Sequence, residues 1–381
     1  MKKKVFIWFI VCTAIISTVI IVSAMSMSRK PSQKTEVYVA IVSSLTGDLA
    51  ENGKDVANGA KLAFDQANSE VRNNANINYE IFDDQGEPKM AVSIANRICQ
   101  DSRFIAVVGH LTSGCMSAAA PVYDRAGLPV VMPIPTNPKI TQQGYSFLFR
   151  VPPTDDDQAP FLAKYLIKKD PKGSVAVIND LTAYGMGFAE AFRHTFEANG
   201  GKIAIFEGAQ KQTRDFRSLI TKLKEQNPKY VLLGATYDMG APFVRQMKEL
   251  GLVSTPVSGD GCYGSAFLKQ AGNAAEGTIV SFIAPDRGSS AATENFFSEY
   301  EAKYGKVVSF APLGYDAAKV IVAASNEIHS KTRKGIQNVI KKKNFIVEGV
   351  TGKIEFEKNG DNKNKNLVLY IVQNGKFVLL K

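Results

Sequence analysis

Short apolar runs alternate with amphipathic stretches along most of this chain. VYVAIV (37–42), INYEIFDD (77–84), FIAVVG (104–109) and LPVVMP (128–133) are brief, rich in β-branched residues and bounded by polar ones, as strands are. Between them lie NGAKLAFDQANSEV (58–71), MAVSIANRICQ (90–100) and MSAAAPVYDRAG (116–127), which carry helical patterns. Strand and helix in alternation predict βαβ crossovers, and so an α/β fold built on a parallel sheet covered on both faces.

The pattern then begins again. VAIVSSLTGDLAENGKDVANGAKLAFDQAN (39–68) has a shorter echo in VAVINDLTAYGMGFAEAFRHTFEANG (175–200): a strand, a loop with Leu-Thr, a glycine and a helix. VVGHLTSGCMSAAAPVYDRAGLPVVMP (107–133) is matched by VLLGATYDMGAPFVRQMKELGLVSTPVSG (231–259). Two matched pairs in the same order predict two similar lobes, each a mostly parallel sheet flanked by helices. FRVPPTDDDQAP (149–160) reads as an extended crossing followed by a helix start, the first hinge candidate. A further strand (276–285), an amphipathic stretch ending near residue 330 and a last β pair closing on Asn374-Gly375 must complete sheets begun earlier. The chain is therefore expected to cross between lobes more than once. Residues 36–150 plus 283–345 are expected to form lobe 1, and 151–282 plus 346–381 lobe 2.

At 381 residues and 45% hydrophobic composition the chain can bury two cores of ordinary size. Residues 1–24 put three lysines ahead of an apolar run that ends in Val22-Ser23-Ala24, an export signal with small residues placed for cleavage. The run is also long enough to span a bilayer as an uncleaved anchor. Either way the remainder is expected to be exported, in the periplasm, with the membrane met only through the leader or a transporter. Without the three leader lysines the formal charge falls from +10 to +7. Much of that charge sits at 331–343 and 358–365, where lysines mix with polar residues and no aromatics interleave. Those are solvated surfaces, and nucleic acid is not the expected partner. Beyond Cys12 in the leader, Cys99, Cys115 and Cys262 lack the paired spacing of a zinc site, and no metal or cofactor is expected. Export permits a disulfide, and Cys99 near the end of one helix and Cys115 at the start of the next would meet if those helices are neighbours. Free buried thiols are the other reading.

Ligands of open α/β sheets bind beyond the carboxyl ends of the strands. The loops there include SSLTGDLAENG (43–53), GHLTSGC (109–115) and PIPTNP (133–138), with NDLTAYG, GATYDMG and SGDGCYG from the second half. Two lobes facing each other across these loops would make one cleft. GHLTSGC invites a catalytic reading, with His110 serving Cys115 or Ser113. It lacks the first glycine of a nucleophile elbow, and the other histidines, His194 and His329, fall in predicted helices. Gly185-x-Gly187 lacks the rest of a dinucleotide fingerprint, so no enzyme activity is expected. As a cradle, the same stretch offers unpaired N–H groups at a helix start, the Ser113 hydroxyl, and close main-chain approach at Gly114, all suited to a carboxylate. An ordinary N-cap by Thr112 or Ser113 stands beside that reading. Asp260, between two glycines after a strand, supplies the opposite sign, or else is a solvated turn acid. Anion donors on one lobe and Asp260 on the other would hold a zwitterion.

At these residues the sequence resembles the branched-chain amino-acid-binding proteins of bacterial ABC importers, the Leu/Ile/Val-binding family with the type I periplasmic-binding fold. The resemblance runs from about residue 36 to near the C-terminus, most specifically in VVGHLTSGC, PTNPKITQQGYSFLFR (135–150), DLTAYGMGFAEAF (180–192), RDFRSLITKLK (214–224) and NAAEGTIV (273–280). It implies that Ser113 and Thr136 bind a ligand α-carboxylate, and that Asp260 with the main-chain oxygen near Ile134 holds the α-ammonium. It also implies that Tyr184 borders the ligand and that Thr236 or Tyr237 stands in for an aromatic contact. The implied function is an exported receptor for a small, aliphatic amino acid that serves the membrane subunits of an ABC transporter. A membrane-anchored sensor, or a receptor for amides, ureas or short peptides, is the alternative on the same fold. Three departures matter. Asp260 replaces the family's longer glutamate, Asn52 stands where an aromatic is frequent, and Gly86 and Thr112 occupy the positions of the family's cysteine pair. Leucine, isoleucine or valine specificity therefore does not follow.

Overall fold

The computed structural model describes residues 34–380 apart from 72, 329 and 330; the leader and His329 lie outside the described residues. The first sheet holds β1 (Thr35–Ser43), β2 (Ala75–Asp83), β3 (Phe104–Gly109), β4 (Val130–Met132) and β5 (Leu148–Arg150). Their order is β2-β1-β3-β4-β5, paired in parallel. Helices α1 (Ala50–Ser69), α2 (Pro88–Gln100) and α3 (Ser113–Arg125) make the crossovers, and α4 (Lys139–Gln142) precedes β5. Every residue of β3 is buried, because helices cover both faces of the sheet.

The second sheet repeats the plan. β6 (Ser174–Asn179), β7 (Lys202–Gly208), β8 (Tyr230–Gly234), β9 (Thr255–Ser258) and β10 (Ile279–Phe282) run parallel, flanked by α5 (Asp155–Lys169), α6 (Ala183–Ala198), α7 (Arg217–Gln226), α8 (Tyr237–Glu249) and α9 (Ser265–Ala271). The antiparallel β13 (Val368–Gln373) and β14 (Lys376–Leu379) complete the order β14-β13-β10-β9-β8-β6-β7. Asn374 and Gly375, both at positive φ, form the tight turn that the sequence pattern calls for. The acidic run after the hinge starts α5 as expected. Thr154 and Asp157 form a capping box, and three aspartates sit where the helix dipole favours negative charge.

Helices α10 (Ala291–Tyr304), α11 (Ala311–Glu327) and α12 (Arg333–Ile340) return to the first lobe. The hydroxyl of Tyr300 on α10 donates to Asp55 on α1, and Arg333 donates to the carbonyls of Phe104, Ala126, Cys99 and Asp101. The expected return to lobe 2 at 346 comes later. The small hairpin of β11 (Val347–Glu348) and β12 (Lys353–Ile354) is followed by a stretch still tied to the first sheet. Within the hairpin the N–H groups of Val350 and Thr351 donate to the Asp316 carboxylate on α11, and beyond it Asp361 pairs with Arg150 and Asn362 donates to the Val151 carbonyl. The second sheet regains the chain only at β13.

Cys99 and Cys115 do not bond; both are free thiols. α2 ends below the start of β3 whereas α3 begins beyond its far end and runs back, so Cys99 meets the far end of α3, about 10 Å of helix from Cys115 in its first turn. That is beyond the Cα separation a disulfide tolerates, about 7 Å. Cys99 instead lies beside the Val122 carbonyl, near the other end of α3. The two helices are neighbours, but their directions exclude the bond.

Both sheets reverse their strand order at one place, between β1 and β3 in the first and between β6 and β8 in the second. Loops leaving those strands diverge and open a crevice. The two crevices face each other.

Candidate functional site

A cavity of about 600 Å³ lies between the lobes and is walled by those loops. From the first lobe Asn52, Ser113, Ile134 and Thr136 reach it, and from the second Tyr184, Thr236 and Asp260. Seven of the eight expected ligand residues are thus brought together. Tyr237 is the exception: it is buried off the wall, and its hydroxyl donates to the Asp48 carbonyl at 2.6 Å, tying the lobes at the rim. Other contacts cross the same gap, from Arg214 to the Asp48 carboxylate at 3.2 Å and from the Asn137 amide to the Ala183 carbonyl at 2.6 Å.

The cradle and cap readings of GHLTSGC hold together, at different residues. Thr112 is the N-cap, its hydroxyl accepting the Cys115 N–H at 3.2 Å. Ser113 is therefore released from capping. Its Oγ accepts the Asn137 N–H at 3.4 Å, which leaves the hydroxyl proton to donate into the cavity. Gly114 lies on the wall beside it, so main-chain N–H groups at the α3 N-terminus and the Ser113 hydroxyl converge on one place.

Asp260 is buried on the opposite wall. Its Oδ1 accepts the Tyr184 hydroxyl at 3.1 Å, and that hydroxyl accepts the Gly261 N–H at 3.0 Å. Gly261 admits no side chain, because a Cβ would lie 2.6 Å from the Ala235 carbonyl oxygen and 2.8 Å from the Tyr184 ring. Burial pushes the Asp260 carboxyl up to about 6, against the opposing hydrogen bond from Tyr184. Behind it, fully buried Asp155 is held well above the ordinary carboxyl range, first by desolvation and then by the charge of Asp260. Among the described residues no cationic side chain pairs with Asp260, so the negative charge in this wall is uncompensated by protein.

Two supports went unread in the sequence. Arg150, fully buried, donates to the carbonyls of Pro135 and Asn137 at 2.8 and 2.9 Å and pairs with Asp361 at 2.9 Å, fixing the loop that carries Ile134 and Thr136. Asp55 accepts the N–H groups of Val308, Ser309, Phe310 and Ala311, which caps α11 and sets Phe310 on the cavity wall. Neither residue follows a strand, which was the signal used. Lys211, also on the wall, does follow one, in the loop after β7, and the same rule would have found it.

His110 lies behind the cavity, fully buried, between the Asp84 carboxylate at 2.7 Å and the Tyr123 hydroxyl at 3.1 Å. Burial pushes the Cys115 thiol up, away from the thiolate a nucleophile needs. The histidine is thus spent on structure.

A pair of lobes with matched topology, meeting over a cavity that carries anion donors on one side and a buried acid on the other, defines a two-lobed substrate-binding protein. The chain belongs to the periplasmic binding protein family, whose model matches residues 36–376. An amino acid binding protein of Pseudomonas aeruginosa is 31% identical over 377 residues, 97% of each chain. A Leu/Ile/Val-binding protein of Rhizobium johnstonii is 30% identical over 356 residues, 93% of this chain and 96% of its own. Among solved structures, a branched-chain amino acid transporter substrate binding protein from Streptococcus pneumoniae, in complex with isoleucine, superposes with a TM-score of 0.82 at 27% identity, covering 90% of this chain and 98% of that one.

Proposed function

We propose that this chain is the exported receptor of an ABC-type amino-acid importer, capturing an α-amino acid between its lobes and presenting it to the transporter's membrane subunits. One observation carries the reading: Asp260, buried without a protein cation, shares a cavity with the N-terminus of α3. A zwitterion satisfies both walls at once, its carboxylate on Ser113, Thr136 and the α3 amides and its ammonium on Asp260 and the Ile134 carbonyl. The names of the relatives favour the same ligand class. Binding joins the lobes, so hinge closure is the signal a transporter would read. Among the described residues no helix is long and apolar enough to cross a membrane.

Hydrogen bonds to charged groups contribute about 1.5–3 kcal/mol each. Ser113→Ala removes one such bond and keeps the main-chain donors, so calorimetry with the best-binding amino acid should show affinity lowered by about tenfold, roughly 1.4 kcal/mol. A panel in which no α-amino acid binds, while amides or ureas lacking an ammonium do, would overturn the proposal.

A further inference from the structure

The zwitterionic head engages Ser113, Ile134, Thr136 and Asp260 and leaves other residues of the cavity wall unassigned. Among them are Glu87 from the first lobe and Gln210, Lys211 and Gln212 from the second, of which Glu87 and both glutamines are exposed, together with Asn52 and Thr236. Lys211 is the one cationic side chain among the cavity-wall residues. It is half-buried, and neither it nor Glu87 has an ion-pair partner or a side-chain hydrogen bond among the described residues. Both charges are felt at Cys115 in the first turn of α3, the ammonium favouring its thiolate and the carboxylate opposing it. Two opposite charges therefore stand close to the same helix end from different lobes without meeting each other.

Each class of ligand side chain fares differently between them. An aliphatic group set between them would cover part of an ammonium and a carboxylate without returning a hydrogen bond to either. An acidic side chain meets Glu87, and a basic one meets Lys211. A carboxamide is uncharged and presents an acceptor and two donors at one end. Its carbonyl oxygen suits the lysine and its NH₂ suits the glutamate.

Resting on the amino-acid reading above, we propose that the ligand is an α-amino acid whose side chain ends in a primary amide, held between Lys211 and Glu87 and flanked by Gln210 and Gln212. Where the family resemblance points to aliphatic side chains, this cavity adds Glu87, Gln210, Lys211 and Gln212 to the apolar Leu49, Leu111, Leu181 and Phe310. Asn52 and Thr236, where the resemblance implies aromatics, add polar groups to the same wall.

Calorimetry of the exported protein with L-glutamine, L-asparagine, L-glutamate and L-leucine tests this, using the wild type, Lys211→Met and Glu87→Gln. One of the two amides should bind the wild type at least about tenfold tighter than leucine or glutamate, and Lys211→Met should lower the amide-to-leucine affinity ratio by about tenfold, roughly 1.4 kcal/mol. Glu87→Gln should improve glutamate relative to the amide. Leucine binding the wild type as well as either amide would overturn the proposal, and so would a Lys211→Met variant that weakens leucine and the amide equally, which would assign the lysine to the shared carboxylate. In either of those cases, leucine binding that still requires Asp260 leaves the amino-acid reading standing; if none of the four binds, that reading fails with the inference.

Discussion

Asp260→Asn is expected to weaken amino-acid binding by about two to four orders of magnitude, because removing one partner of a buried charge pair costs roughly 3–5 kcal/mol. The substitution keeps the side chain's shape and its place beside Tyr184, so the loss measures charge rather than packing. The same carboxyl should make binding depend on pH. In the free protein it titrates at about 6, and only its ionised form receives an ammonium. Affinity should therefore be flat at neutral pH and fall as pH drops through that value, by about tenfold between pH 7.5 and pH 5, with proton release on binding in acid. Stability of the free protein runs the other way. A carboxyl raised above its unfolded value favours the folded state below the unfolded pKa and loses that contribution as pH rises through the folded one. The two values, 3.8 and about 6, bound it at about 3 kcal/mol. Thermal shifts on adding ligand should accordingly be larger at pH 7.5 than at pH 5, and Asp260→Asn should flatten both profiles. An unaltered profile in that variant would remove Asp260 from the site.

How much of this was legible follows from what each feature depends on. Strand-helix alternation and the internal echo dictate two doubly wound lobes, because hydrophobic period and loop chemistry are local properties of the chain. Loops beyond strand ends are equally local and single out Ser113 and Asp260; Asn52, Ile134, Thr136, Tyr184 and Thr236 follow only from the family resemblance, and all seven line one cavity. Side-chain direction is not local. Thr236 and Tyr237 were equivalent in the sequence, yet at the start of α8 the first faces the cavity while the second turns to Asp48. The Cys99–Cys115 pairing failed for a related reason. Sequence proximity of a helix end and the next helix start ignores the strand that carries the chain across the sheet between them. Partnerships made at long range, such as Asp55 with the α11 N-terminus and Arg150 with Asp361, leave no pattern in either segment alone.

Arg150 carries the second large effect. Its guanidinium is fully buried, and removing it would strand the Asp361 carboxylate together with the carbonyls of Pro135 and Asn137. Burial lowers the pKa of the guanidinium, and the neighbouring Asp361 raises it again, so each charge is held in place by the other. Arg150→Met should therefore destabilise the protein by about 3–5 kcal/mol in urea denaturation, the cost of leaving a buried ion unpaired. Arg150→Met combined with Asp361→Asn should recover part of that loss, since the second change removes the orphaned charge; a double-mutant cycle with no coupling would refute the pairing. The consequence for function is separate and measurable. Pro135 and Asn137 flank Thr136, so loss of the arginine frees the segment that sets Ile134 and Thr136, the proposed ligand contacts, on the cavity wall. Binding should weaken in the double variant even where folding is restored, because neutralising Asp361 relieves the stranded charge but rebuilds none of the donors that hold the loop against the cavity.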